Sequence, residues 1–267
     1  MNLKPGISVC FVIKNGIKQG YPFWESLLSC LPIADEIVIS EGASDDGTAA
    51  CISKFVSMYG NRCRISVYRD DWASRPSGCG EIISWVSEKN MRRCTREWIY
   101  YLQADEVIHE GNTEFLRGIA EGKPGNFNAV EFYFWHFLRS WNPVKSGAAY
   151  HKAIRMVRNR SDIRLLGDAW TFHGSVKPTC PSSAVPHPLF HLGWVFPENC
   201  DVKDVEHAKI YTGMKAYQDN AKSAKERLAA GGYEKGYDGP VDTSAFPAII
   251  GRLYGMVKYE LPQEVLG

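Results

Sequence analysis

"DEIVISEGASDDGT", Asp35 to Thr48, decides how this chain is read. Glu36–Ser40 is an apolar, β-branched run of strand length. Gly42–Gly47 is a turn cluster, and Thr48–Tyr59 continues with apolar residues at helical spacing. A strand, a Gly-rich turn and a helix in that order open a βαβ unit. The turn would present backbone N–H groups and a helix N-terminus to an anion. Taken alone, a turn capped by Ser44, Asp45 or Asp46 is the simpler reading. The G-K-[ST] ending of a Walker loop and the G-x-G-x-x-G spacing are both missing.

The same alternation runs to either side. Ile7–Ile13 is nearly continuous in apolar residues, as in a parallel strand buried on both faces. Phe23–Cys30 reads as helix, Arg64–Tyr68 as a third strand, Gly80–Arg93 as helix and Trp98–Leu102 as a fourth strand. Alternation of this kind predicts an α/β sheet with right-handed crossovers. Ligands of such sheets bind beyond the carboxyl ends of the strands. Four polar segments fall there: Lys14-Asn15-Gly16, Ser40–Gly47, Arg69–Trp72 and Gln103–Glu106.

The second half changes character. Asn128–Leu138 and Ala153–Val157 read as strands. Thr171–Leu192, rich in Pro, Ser and His, reads as loop. Asp201–Ala230 mixes Lys and Glu as a solvated helix does, Gly231–Pro240 reads as a flexible hinge or lid, and Phe246–Val257 as a short apolar helix packed on the body. The expected organisation is one domain over residues 1–200, with halves 1–110 and 111–200, and a helical C-terminal extension over 201–267.

Composition narrows the class. The chain has 267 residues, 45% hydrophobic and 23% charged, which suits an ordinary globular domain. A net charge of +1 gives no global field toward nucleic acid or anionic lipid. No run approaches the ~20 apolar residues of a membrane span, and the N-terminus lacks a signal-peptide layout. The eight cysteines include no C-x-x-C pair, which argues against a zinc cluster. They read as reduced thiols, and the chain as cytoplasmic.

In order, these motifs resemble those of the family 2 glycosyltransferases with the GT-A fold. The matching segments are Val12-Ile13-Lys14-Asn15-Gly16, Asp35–Thr48, the Lys89-Asn90 pair on its helix, and Trp98–Glu106 (WIYYLQADE). The resemblance covers roughly the first 110 residues well and the remainder loosely. It implies a Rossmann-like, mixed and mostly parallel sheet flanked by helices, and transfer of a sugar from a nucleoside-diphosphate sugar, UDP-linked by expectation, to an acceptor hydroxyl. It also implies a donor site formed by Lys14, Asn15, Glu41, Ser44, Asp46, Asp71, Lys89, Asn90, Gln103 and Ala104. Glu41 takes the place that recognises the nucleobase, with Asp70 or Asp71 nearby. Asp105 matches the last acid of the D-x-D motif and would hold Mn²⁺ or Mg²⁺. Gln103 replaces the first acid and departs from the pattern.

Transfer with inversion needs a carboxylate base on the acceptor side. Asp168, in "RLLGDAWTFHG" (Arg164–Gly174), is the candidate, and a turn aspartate after Gly167 is the plainer alternative. "FHLGW" (Phe190–Trp194) resembles an H-x-G-[YW] segment of related enzymes, which makes His191 a second metal ligand or phosphate contact. His136, in an aromatic strand, reads as packing. Arg155, Arg158, Arg160 and Arg164 read as a solvated face, with phosphate binding the alternative. Trp135, Trp141, Trp170 and Trp194 read mostly as core, with sugar stacking open to some. A glycan or lipid-linked acceptor is the expectation, and a hydroxymethylated DNA base the second. The rivals are a sugar nucleotidyltransferase and a catalytically silent nucleotide- or polymer-binding module, the latter favoured by Gln103.

Overall fold

The computed structural model describes residues 3–72, 80–122, 127–143, 150–173, 176–229, 243–254, 256 and 258–266. The segment 231–240, read above as a hinge or lid, lies outside them. The chain begins with β1 (Lys4–Ile13), α1 (Phe23–Cys30), β2 (Glu36–Glu41), α2 (Thr48–Tyr59), β3 (Arg64–Arg69), α3 (Glu81–Met91) and β4 (Arg96–Gln103). It continues with β5 (Glu106–Val107), α4 (Thr113–Ala120), β6 (Ala129–Leu138), β7 (Lys152–Arg158), β8 (Leu165–Leu166), β9 (Thr171–Phe172) and β10 (Leu189–Trp194). Helices α5 (Pro197–Ile210), α6 (Lys215–Ala229) and α7 (Gln263–Leu266) close it.

Eight strands form one sheet in the order β3-β2-β1-β4-β7-β6-β10-β5. β1, β2, β3 and β4 are mutually parallel. β7 runs against β4 and β6, β10 is parallel to β6, and β5 runs against β10. The carboxyl ends of β1–β4, β6 and β10 therefore share one edge. The result is a Rossmann-like α/β sheet, mixed and mostly parallel and flanked by helices, as the resemblance implies. β1 and β4 lie inside the sheet, and their central residues are buried on both faces, which explains their unbroken apolar runs. β3 is an edge, with Val67 and Tyr68 exposed. Gly47, at φ 89°, supplies the left-handed backbone that turns the β2 loop into α2. Among the described residues no helix is long and apolar enough to cross a membrane. The seven described cysteines are all free thiols.

Three expectations change. Leu189–Leu192, the end of the Thr171–Leu192 segment read as loop, lies in the strand β10 (Leu189–Trp194), between β6 and β5. The single helix expected over 201–230 begins at Pro197 and breaks between Ile210 and Lys215. α5 is not solvated: Asn199, Cys200, Asp201, Lys203 and Asp204 are all buried. The segment read as a short apolar helix over Phe246–Val257 holds a 3-10 helix over Ala248–Leu253, which begins after Pro247. Its Arg252 reaches back to pair with the buried Glu25 of α1, which also accepts from Tyr259 Oη at 3.0 Å.

The largest departure is Arg155, which is fully buried rather than part of a solvated face. Its guanidinium donates to Glu106 through Nε at 3.0 Å and Nη2 at 2.7 Å. It also donates to the Trp170 carbonyl at 2.8 Å and to Tyr150 Oη at 3.2 Å. The Phe134 ring lies 4.9 Å from it. A buried charge costs several kcal/mol unless paired and hydrogen-bonded, and this pair meets both conditions. Glu106→Ala would leave Arg155 buried without its counter-charge. The expected loss is about 3–5 kcal/mol, read as a lower denaturant midpoint in equilibrium unfolding.

Candidate active site

The shared edge of the sheet opens into a cavity of about 860 Å³. Its lining includes Lys14 after β1, Gln103 at the end of β4, Ala104 and Asp105 after it, His136 from β6, and His191 and Trp194 from β10. Asp168 and Trp170 enter from the segment between β8 and β9. α5 and α6 contribute Lys203, His207 and Tyr217, so residues on both sides of position 200 build one site.

Asp105 and Glu106 are neighbours with opposite tasks. Glu106 turns inward to Arg155, while Asp105 lines the cavity. Asp105 Oδ2 lies 3.5 Å from His191 Nε2 and 3.3 Å from Lys203 Nζ. The Lys203 ammonium also donates to the Gly193 carbonyl at 2.9 Å and sits over the rings of Tyr21 and Trp194, at 4.3 and 4.6 Å. A Cβ at Gly193 would collide with both Asp105 Oδ2 and Lys203 Nζ where they now meet, so glycine leaves room for that pairing. Burial alone would raise the Asp105 carboxyl, but the facing His191 and Lys203 hold it below the usual carboxylate range. Burial lowers the Lys203 ammonium, with Asp105 opposing.

Three histidines border the site, all kept neutral by burial. His191 and His207 are pushed down to about 3, and His136 is lowered for the same first reason. His136 bonds the Tyr150 carbonyl through Nε2 at 2.7 Å and His191 through Nδ1 at 3.2 Å. Two buried polar atoms of the cavity wall, Trp72 Nε1 and His207 Nδ1, have no hydrogen-bond partner among the described residues. Asp168 accepts from Tyr211 Oη at 2.8 Å. Tyr211 in turn stacks on Tyr217, with centroids 4.1 Å apart.

The donor-site residues implied by the resemblance divide in two. Lys14, Gln103, Ala104, Asp105, Asp168 and His191 come together in the cavity. Gln103 donates to the Ala169 carbonyl at 3.2 Å and anchors the segment bearing Asp168. The other residues do not line it. Asn15, at φ 52°, accepts from Asp45 N–H through its side chain, and its own N–H donates to Ser44 Oγ. Glu41 accepts from the N–H groups of Ala43 and Ser44, and so caps its own turn. Asp46 accepts from Thr48 and Lys18 N–H. Asn90 is buried and donates to the carbonyls of Phe11 and Val38, which ties α3 to the sheet. Lys89 pairs with Asp70 at 2.7 Å. Asp70 also binds Arg93, whose hydrogen bond leads in holding its carboxyl well below the usual range. Asp71 is exposed beyond β3.

Lys203, His207 and Tyr211 were missed because α5 was read as solvated. A signal existed: Cys200, Lys203, His207 and Tyr211 recur at three- and four-residue steps, one stripe of a helix. Trp72 and the role of His136 carried no comparable signal.

A divalent cation is the group implied by the resemblance, and the facing atoms allow a test of fit. A hard cation prefers oxygen, tolerates imidazole, and leaves positions for phosphate oxygens. Asp105 Oδ2 and His191 Nε2 provide one of each, on a cavity wall and 3.5 Å apart. No group of three or more His, Cys, Asp or Glu converges among the described residues. Asp105 Oδ2 also holds the buried Lys203 ammonium at 3.3 Å, so a cation resting on these two protein atoms would share that oxygen and complete its shell from a bound ligand.

No protein-family model matches this chain, and no curated protein matches it. Among solved structures it is similar to S. aureus TarS 1-349 in complex with UDP-GlcNAc. Identity is 14%, the TM-score 0.41, and the match covers 84% of this chain and 73% of the other. It is also similar to the mannosyltransferase PcManGT from Pyrobaculum calidifontis in complex with GDP-Man and Mn²⁺. There the identity is 11%, the TM-score 0.42, and the coverage 86% and 77%. Likeness at this level carries no weight for the chemistry, which rests on the geometry above.

The neutral histidines give a sign for pH dependence. Each has a folded pKa below its unfolded value near 6.5, so the unfolded chain takes up protons first as pH falls. Stability of the metal-free protein is expected to be fully present above pH 6.5 and to fall progressively as pH drops from 6.5 toward the folded values of about 3. Each histidine contributes up to about 1.4 kcal/mol per pH unit. His207→Phe should flatten the slope by one proton in denaturant titrations at pH 7.5, 6 and 5.

Proposed function

We propose that this chain is a glycosyltransferase that moves a sugar from a nucleoside-diphosphate sugar to an acceptor hydroxyl, with inversion at the anomeric carbon. The observation that carries the reading is a single cavity at the carboxyl ends of parallel strands, into which Asp105, His191, Lys203 and Asp168 all converge. Lys14 and Trp72, 6.0 Å apart as a cation over a ring, form a wall suited to a nucleobase. The unpartnered Trp72 Nε1 gives that wall a donor for a base or ribose oxygen. Mn²⁺ or Mg²⁺, held by Asp105 and His191, would neutralise charge on the departing diphosphate.

The chain's own groups supply the rest. Lys203 sets a positive charge beside the leaving group. Asp168 accepts the acceptor's hydroxyl proton through the carboxylate oxygen that Tyr211 leaves open. The acceptor oxygen then bonds the anomeric carbon, while the bond to the phosphate oxygen breaks and its electron pair stays on the diphosphate. Trp170, Trp194 and Tyr217 line the same space with faces on which sugar rings stack, which supports a glycan acceptor. Gln103 favours a second reading, a module that binds nucleotide without turnover, because its amide is tied to Ala169 and Tyr101.

One assay separates the two. UDP- and GDP-sugars are incubated with the protein and Mn²⁺, Mg²⁺ or EDTA, and released nucleotide is measured. Slow, cation-dependent release from one donor is expected, and Asp105→Ala should abolish it. Once an acceptor is found, Asp168→Asn should lower kcat about 10²–10⁴-fold with little change in donor KM. Tight nucleotide binding with no turnover of any donor, with or without glycan acceptors, would establish the silent module instead.

A further inference from the structure

We propose that Tyr211 is a positioning residue for Asp168: its hydroxyl ties down one carboxylate oxygen and so leaves the other aimed into the cavity to take the acceptor's proton. The inference rests on the reading of Asp168 as the base of a sugar transfer. Asp168 sits in the turn between β8 and β9, which is closed by a hydrogen bond from Ala169 N–H to the Leu166 carbonyl at 3.0 Å. The residues on either side of it, Gly167 and Ala169, both have left-handed backbone, at φ 58° and 67°. Alanine takes that conformation at a cost, and keeps it only where its surroundings hold it. Here they do. Ala169 is fully buried, its carbonyl accepts from Gln103, and the next carbonyl, of Trp170, accepts from Arg155. The backbone of the turn is thereby fixed, but the Asp168 carboxylate can still rotate about its two side-chain bonds.

Tyr211 removes that freedom. It caps the end of α5, is buried, and donates from Oη to Asp168 Oδ2 at 2.8 Å. It is the one hydrogen-bond donor to this carboxylate among the described residues. A carboxylate only accepts, so the hydrogen belongs to Tyr211. Burial first, and Asp168 beside it, push the phenol well above its ordinary range, and it keeps that hydrogen. The tyrosine ring is itself held. Tyr217 stacks on it with centroids 4.1 Å apart and planes 7° from parallel. Gly80, at the start of α3, lies against both partners, and a Cβ there would collide with the Tyr211 ring and with Asp168 Cβ. Three elements therefore meet at one hydrogen bond. Its charged acceptor makes it a strong one, and Asp168 still lines the cavity.

The test uses the full-length protein and the UDP- or GDP-sugar that turns over, with water as the acceptor and released nucleotide as the readout. Asp168 then takes a proton from the attacking water, the water oxygen bonds the anomeric carbon, and the electron pair of the broken bond stays on the diphosphate. Tyr211→Phe keeps the ring and its stack and loses only the hydroxyl. It is expected to lower kcat about 10–100-fold with donor KM unchanged, because the lost bond orients the base and not the donor. In an Asp168→Asn background the same change should lower kcat no further, since Tyr211 acts through the carboxylate. With Asp168→Asn impaired, a wild-type kcat for Tyr211→Phe, an effect on donor KM alone, or an equal loss in both backgrounds would overturn the inference and leave Asp168 as the base. Asp168→Asn at the wild-type rate, or no turnover of any donor by wild type, would remove that reading and the inference with it. Should Tyr211→Phe fail to fold, a crystal structure of the wild type with UDP or GDP decides. Tyr211 Oη within about 3 Å of one Asp168 oxygen, with the other open to the cavity, supports the inference, and a Tyr211 hydroxyl bonded elsewhere overturns it.

Discussion

The buried pair of Glu106 and Arg155 is the interaction on which the site depends. Glu106 begins β5, two residues after Ala104, and Arg155 lies in β7. Their bond joins the loop after β4 to a strand that pairs with β4 on one side and β6 on the other. Asp105 lies in the turn between β4 and β5 and does not follow its neighbour inward. It is left facing the cavity. The same guanidinium holds the Trp170 carbonyl and Tyr150 Oη, so the segments carrying Asp168 and backing His136 are anchored to one charge.

The cavity is polar at its floor and aromatic at its walls, a division that suits a charged donor and a hydroxyl-rich acceptor. Each charged group at the floor has a partner on a different element. Asp105 meets Lys203 of α5 and His191 of β10, and Arg139 after β6 meets Asp201 of α5 at 2.9 Å. α5 is thus held on the sheet by charges more than by apolar contact. A buried network of paired charges of this kind sets geometry sharply, because any misplacement leaves a charge unpaired in low dielectric.

The first four strands and their helices were legible because a parallel strand buried on both faces leaves an unbroken apolar run between polar turns. α1 (Phe23–Cys30) and α2 (Thr48–Tyr59) have the bounds that periodicity predicts. β10 was not legible: its six residues include His191 and Gly193 and follow Pro186 and Pro188, so the segment resembles loop. Arg155 and α5 misled for a common reason. Charge in a sequence implies solvent only when no counter-charge is folded against it, and the partners Glu106, Asp105 and Arg139 lie from 49 to 98 positions away. The turn residues Asn15, Glu41 and Ser44 were singled out for a ligand, yet their hydrogen bonds go to each other's loops. They shape the edge on which Lys14 stands.

The open strand β3 has a consequence for the molecule in a crowded solution. An edge strand offers unpaired backbone groups to any extended chain that arrives, and Val67 and Tyr68 add exposed apolar surface. Arg64 and Arg69 bracket the strand at its two ends, and both are exposed. A second copy adding its own β3 in register would set arginine against arginine whichever way it ran. The far edge, β5, is only two residues long and too short to template anything. The sheet thus ends, on both sides, in a form that resists growing into a fibre.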